Sequence, residues 1–308
     1  LFGQGRWKQA EQLCVRAMET FMKLFGPEHP ATLISMDNLA SISRQQGRWK
    51  ESEELEKQVM LTHKKVHGQE HPDTLISLNN LASTFWMQGR WREAEVIEMQ
   101  VMATRKRVLG QQHPATLTSM GSLAMTYWNL GRWKEAEELI LQAIETTKMV
   151  LGEEHPGTLV SMGNLALIYE KRGRWMEEEE LFVQTIKTFK KVLSPEHPET
   201  LLNMHNLALA YNGQGRSKEA EELEGQVMET RKRVLGQDHP DTLITMNNLA
   251  FTYHDQGRWK EAEELFLQII ETKKKVLGQQ HPGTVTSISN LASIYKDQGR
   301  WKDSEELL

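Results

Sequence analysis

The chain has 308 residues, a formal net charge of −5 and one cysteine, Cys14. That balance offers no overall basic character to nucleic acid or an anionic membrane, and a lone cysteine closes no disulfide within the chain, as in a reducing compartment. No stretch reaches the ~18 apolar residues of a membrane span and no secretory signal is readable, so the expectation is a cytoplasmic protein.

The first residues, Leu1-Phe2-Gly3, lack a methionine and fall inside a repeating pattern, as do the last, Glu305 to Leu308. They read as the edges of a piece of a longer protein. Between them His-Pro dipeptides begin at His29, His71, His113, His155, His197, His239 and His281, 42 residues apart without insertion or deletion. Gly-Arg pairs keep the same step from Gly5 through Gly47, Gly89, Gly131, Gly173, Gly215 and Gly257 to Gly299. A fixed period of this size is the signature of stacked repeats, each too small to bury its own apolar face.

Within the unit 71–112, Leu75, Leu78, Leu81, Ala82 and Phe85 recur at helical spacing between Pro72 and Gly89. Proline suits a first helical turn and glycine a helix end. A second helix follows, with Trp91, Ala94, Ile97, Val101, Arg105 and Val108 on one stripe, acids at its start and Arg105-Lys106-Arg107 at its end, matched to the helix dipole. Each unit is thus a helix A and an antiparallel helix B. The expected fold is an all-α solenoid, a right-handed superhelix of about seven 42-residue helix pairs forming one domain over 1–308. Its parts are a partial repeat 1–28 (helix B only), full repeats 29–70, 71–112, 113–154, 155–196, 197–238 and 239–280, and a partial repeat 281–308.

Recurring residues read as packing. Trp7, Trp49, Trp91, Trp133, Trp175, Trp259 and Trp301 open helix B, with Ser217 the exception; Phe85, Tyr127, Tyr169, Tyr211, Tyr253 and Tyr295 share a place on helix A, with Ser43 the exception. The two serines are expected to mark weaker repeats. Small residues from Ala40 to Ala292 mark close helix approach.

The order Asn-Leu-Ala, aromatic, Gln-Gly, Arg-Trp, Glu-Ala-Glu resembles the tetratricopeptide repeat. The 42-residue form, with Leu-Gly-x-x-His-Pro between units, is similar to the repeats of kinesin light chains and to the arrays that serve as sensor regions of NACHT or NB-ARC NTPases. The resemblance implies a non-enzymatic scaffold whose concave, A-helix groove takes a protein or extended peptide.

Laid on this chain, the family pattern puts Ile34, Asp37, Asn38, Ser41, Arg44 and Gln45 of the first unit in that groove, with their counterparts in later repeats. One column is an amide ladder, Asn38, Asn80, Asn164, Asn206, Asn248 and Asn290, broken by Ser122. An amide both donates and accepts, so it can hold a peptide backbone of any sequence, or equally bond the adjacent repeat. Both readings stand. Trp86 and Trp128 lie outside the tryptophan template, side by side in adjacent repeats. They read as ligand anchors or as covers for the next repeat. Met125, Leu167, Leu209 and Phe251 would line side-chain pockets, and His205 and His254 would be polar groove contacts. Gly121 and Gly163 sit mid-helix, where a close ligand backbone or simple tolerance would explain them.

The template histidines fall one per layer, too far apart to share a metal. Arg105-Lys106-Arg107 and Arg231-Lys232-Arg233 read as solvated helix ends. No catalytic constellation, cofactor motif or basic groove for nucleic acid stands out. A second expectation for the array is a structural one, end-to-end self-association of copies.

Overall fold

The computed structural model describes residues 7–307; Gly5-Arg6 and Leu308 lie outside the described residues, as does the Trp7 side chain. The described residues form fifteen helices and no strand. The chain divides at Gly173/Arg174 into two compact units, where the repeats alone read as one domain.

The first unit holds α1 (Trp7–Phe25), α2 (Pro30–Gln45), α3 (Trp49–His67), α4 (Pro72–Met87), α5 (Trp91–Leu109), α6 (Pro114–Asn129), α7 (Trp133–Leu151) and α8 (Pro156–Lys171). The second holds α9 (Trp175–Val192), α10 (Pro198–Gly213), α11 (Ser217–Val234), α12 (Pro240–Asp255), α13 (Trp259–Val276), α14 (Pro282–Asp297) and α15 (Trp301–Leu307). Within each unit every helix packs on the next in sequence, and in the first unit α2 also meets α4 and α6 meets α8. This is the stacked A/B helix-pair architecture of an α-solenoid. Even-numbered helices are A, odd-numbered are B.

An A-helix lies between two B-helices and is buried on both sides. In α4, Leu75, Leu78, Leu81, Ala82 and Phe85 are buried together with Thr74, Ser77 and Thr84. A B-helix has one buried edge: in α5 it is Ala94, Glu98, Val101 and Arg105. Ile97 is only half-buried and Val108 is exposed, so the expected stripe turns by part of a helical turn toward two charged residues.

The His-Pro pair is a helix start built from two functions. His71 adopts extended backbone at the N-cap, and its Nδ1 accepts from Asp73 N at 3.3 Å. All seven template histidines cap in this way. The following proline fills the first helical position, where no N–H is needed. Two residues on, Thr74 Oγ1 donates to Gly68 O at 2.8 Å and ties the preceding turn to the helix.

The Gly-Arg pair joins repeats. Gly89 ends helix A in the left-handed region at φ 74. Arg90 then reaches Glu53 of the preceding B-helix at 2.7 Å and Glu93 of its own, while stacking on Phe85. Arg216–Glu179, Arg258–Glu221 and Arg300–Glu263 repeat the cross-repeat pair at 2.6, 2.6 and 2.7 Å. Arg48–Glu11 and Arg132–Glu95 belong to the same series.

Three packing expectations change. The template tryptophans are not core: Trp133 and Trp175 are 40% and 42% exposed and Trp301 is 62% exposed. They stand at the first helical position of helix B, at the edge of the stack. The inter-repeat contact there is made by the backbone, with Gln88 Nε2 donating to Trp49 O and Gln256 Nε2 to Ser217 O. A serine serves that bond as well as a tryptophan. Arg105 and Arg231, read as solvated, are buried at 8% and 6% exposure. Arg105 donates to Ser119 Oγ at 2.7 Å and Ala115 O at 3.2 Å; Arg231 donates to Thr245 Oγ1 at 2.6 Å and Asp241 O at 3.1 Å. Each is a polar pin from a B-helix into the next A-helix. Only Lys106, Arg107, Lys232 and Arg233 fit a solvated helix end, fully or in part.

Candidate functional site

The first unit contains an open cavity of about 620 Å³ among α4, α5, α6 and α8, with contributions from α2 and α7. Its walls include Trp86, Met125 and Asn164 from the expected groove, together with Arg44, Ser122 and Gly121. A Cβ placed on Gly121 would meet nothing within 4 Å. The glycine therefore widens the cavity and answers no steric demand of the fold.

Trp86 is half-buried on this wall, beside exposed Met87. Trp128 is placed differently. Its indole Nε1 donates to Leu167 O at 3.0 Å, and Lys171 Nζ lies 5.4 Å from its ring centre. Its polar edge is thus held by the next A-helix, and the two tryptophans do not face the cavity together. Asn38 is exposed on α2, and Asn80 offers its carbonyl to Arg44 at 3.2 Å.

The cavity also holds Glu98, which is 6% exposed and whose Oε2 has no hydrogen-bond partner. It belongs to a core column of helix B: Glu56, Glu98, Ile140, Phe182, Glu224 and Phe266. Ile140, Phe182 and Phe266 are fully buried there. Burial pushes the Glu56 and Glu98 carboxyls up to about 7 and Glu224 up to about 8. Glu56 has a partner, since Arg44 Nη1 donates to its Oε1 at 3.1 Å. In the next repeat the place of Arg44 is taken by Trp86, and Glu98 has no ion pair among the described residues. Reading the repeat by its apolar stripe passed over this column; a glutamate aligned with isoleucine and phenylalanine in sister repeats is the signal that marks it.

In the second unit the predicted residues form internal contacts. Asn248 Nδ2 and His205 Nε2 are 3.3 Å apart, Asn247 Nδ2 donates to Asn248 Oδ1 at 3.4 Å, and Asn290 Nδ2 donates to Asn247 Oδ1 at 3.1 Å. This chain of amides links consecutive A-helices side chain to side chain. Asn206 is half-buried. His205, expected as a groove contact, is buried, and burial holds its imidazole down at about 4. Its Nδ1 lies 3.8 Å from Glu224 Oε1, beyond hydrogen-bond range. His254 sits between Asp255 and Asp297, at 3.2 and 3.1 Å, with Trp259 edge-on to its ring. Leu209 and Phe251 are exposed, Phe251 resting edge-on against Phe266. Leu167 is half-buried in the first unit.

Among the described residues no three of His, Cys, Asp or Glu converge on a metal position, and no helix is long and apolar enough to cross a membrane.

Helix pairs of this length, capped by His-Pro and joined through Gly-Arg, define a helical-repeat protein, and the chain belongs to the tetratricopeptide repeat family. Models of that repeat match residues 1–60, 37–107, 99–148, 115–191, 225–275 and 241–308, and a further one matches 200–241. A Podosopora anserina structure of nearly identical TPR-like repeats, assigned to the kinesin light chains, is similar at 36% identity, with 67% of this chain and 98% of that one covered and a TM-score of 0.52. The quorum sensor NprR of B. thuringiensis in its apo form shares the fold at 13% identity, covering 97% of this chain and 81% of that one, with a TM-score of 0.65. A Rap protein complexed with Competence and Sporulation Factor does so at 11% identity, 94% and 80% coverage and a TM-score of 0.60. No curated protein matches the chain.

Proposed function

We propose that the chain is a non-enzymatic, cytoplasmic scaffold that holds an extended segment of a protein partner in the cavity of its first unit. The observation that carries this reading is the coincidence of an open cavity with the positions at which near-identical repeats differ. Trp86, Gly121, Ser122 and Met125 depart from their sister repeats on the A-helices, and all four line one space together with Asn164 of the amide ladder. A residue kept in every repeat serves stacking; one that departs from the template at a concave opening is free to serve a ligand. Trp86 supplies apolar area and Asn164 an amide that pairs with peptide N–H and C=O. The Rap protein bound to its factor gives a fold-level parallel only.

The test is selection of a displayed random-peptide library on the chain and on Gly121→Leu. The leucine enters open space and strengthens helix propensity, so the variant is expected to fold while filling the cavity. Ligands retained by the native chain and lost by the variant support the reading. Ligands held equally by both, or none held by either, reject it.

A further inference from the structure

Resting on that groove reading, we infer that the cavity selects segments presenting a lysine or arginine side chain, which Glu98 receives at its floor.

The argument begins with the chain's own precedent. In the repeat 29–70 the glutamate of the helix-B column, Glu56, is met by a guanidinium from helix A: Arg44 Nη1 donates to Glu56 Oε1 at 3.1 Å and to Asn80 O at 3.2 Å. In the repeat 71–112 the glutamate is kept as Glu98 but the arginine is not, its place being held by Trp86. Three other members of the column avoid the difficulty with Ile140, Phe182 and Phe266, so the fold does not require an acid there. Glu98 is a buried acid with one oxygen unpartnered and no cation of the described residues paired with it. It sits where a cavity of about 620 Å³ opens beside it. A buried carboxylate left without a partner is costly. A cation arriving from outside would complete the bonds that Arg44 completes one repeat earlier.

The surroundings match a long basic side chain. Trp86 and Met125 flank the cavity and suit the methylene stem, with the indole face also attractive to a cation. Gly121 leaves room for the chain that carries it. Arg44, on the same wall, is already committed to Glu56 and Asn80, and a ligand acid would find the floor of the cavity repulsive.

The experiment takes peptides selected from the random library by the native chain and compares each with its counterpart in which a basic residue becomes norleucine. On the native chain the replacement is expected to weaken binding about tenfold or more, the scale of a charge-assisted hydrogen bond. On Glu98→Gln the two peptides should bind alike. Trp86→Arg supplies the missing internal cation and should remove the preference while keeping or raising the melting temperature, so that loss of binding is separated from loss of fold. If selected peptides are lost on Gly121→Leu yet carry no basic residue whose replacement matters, the anchor is wrong and the groove stands. If no peptide depends on Gly121, the groove and the anchor fall together.

Discussion

The guanidinium carbon of Arg90 lies 4.1 Å from the centre of the Phe85 ring while its Nη1 reaches Glu53 of the preceding B-helix. One side chain thereby binds the turn of its own repeat and the flank of the one before. The same stack recurs as Arg132 on Tyr127, Arg216 on Tyr211, Arg258 on Tyr253 and Arg300 on Tyr295. Arg48 keeps both carboxylate partners, Glu11 and Glu51, but its aromatic is replaced by buried Ser43, and its Nε is buried without a partner.

Arg90→Ala should therefore cost at least about 0.5–1 kcal/mol more than Arg48→Ala, because beside two comparable partly exposed ion pairs Arg90 has the cation–π contact and an Nε that donates to Glu93 where the Arg48 Nε has no partner. Urea midpoints of the two variants at unchanged m-value measure it. Equal losses would show that neither the stack nor the added Nε bond contributes. By the same reasoning, amide exchange should be faster around Ser43 than at the sister positions. Around Ser217 it should be near normal, because the bond made there uses the backbone carbonyl.

Trp86 and Trp128 occupy one column and should separate on mutation. Trp128→Phe removes the indole N–H that Leu167 O accepts and is expected to destabilise by about 1 kcal/mol. Trp86→Phe should leave stability within about 0.5 kcal/mol, as for changes away from such features, and act on ligand binding. Thermal melts beside binding curves distinguish the two; a reversed pattern would exchange their roles.

Gly121→Ala should stabilise the first unit by about 1 kcal/mol, because the position is helical and the added methyl meets nothing within 4 Å. A loss of stability, read by denaturant titration, would mean that the cavity is smaller than described.

Stability should fall as pH rises from 6.5 to 8. Glu56, Glu98 and Glu224 are raised by burial to about 7, 7 and 8, so the folded chain binds more protons than the unfolded one in this window. Their contribution is complete below the ordinary carboxylate range and lost as pH rises to and through the raised values. His205, held at about 4, works in the opposite direction only below its ordinary value of 6.5. Melting temperatures of Glu224→Gln across the window should slope less than those of the native chain. An unchanged slope would assign the effect to other groups.

Helix positions, caps and the family were legible because each rests on local chemistry repeated seven times. Pro72 and Gly89 bound a helix wherever they stand, and His-Pro announces a start even before the imidazole is known to accept the N–H of the second residue following it. The site was less legible. Trp86, Met125 and Asn164 share a cavity because A-helices from successive repeats adjoin, which column alignment anticipates. Trp128 and Trp86 look identical in the alignment, yet one is held by Leu167, a contact set by the neighbouring helix and its side chains. His205 was misplaced for a related reason: a histidine in a polar column reads as exposed until packing buries it over Glu224. Glu98 escaped notice because apolar periodicity records what fits the core and passes over the acid that does not.

Within a unit the arginine of a Gly-Arg pair meets a glutamate 37 residues earlier on the preceding B-helix, as in Arg90–Glu53, Arg216–Glu179, Arg258–Glu221 and Arg300–Glu263. Every such bond crosses one joint, between a B-helix and the turn that follows the next A-helix. Gain or loss of one whole 42-residue segment inside a unit would therefore bring the same two partners face to face at the new joint, with nothing left over. Length becomes a quantity that inheritance can change in whole steps without rewriting any contact, and recognition can be altered separately, through the few columns that stacking leaves free.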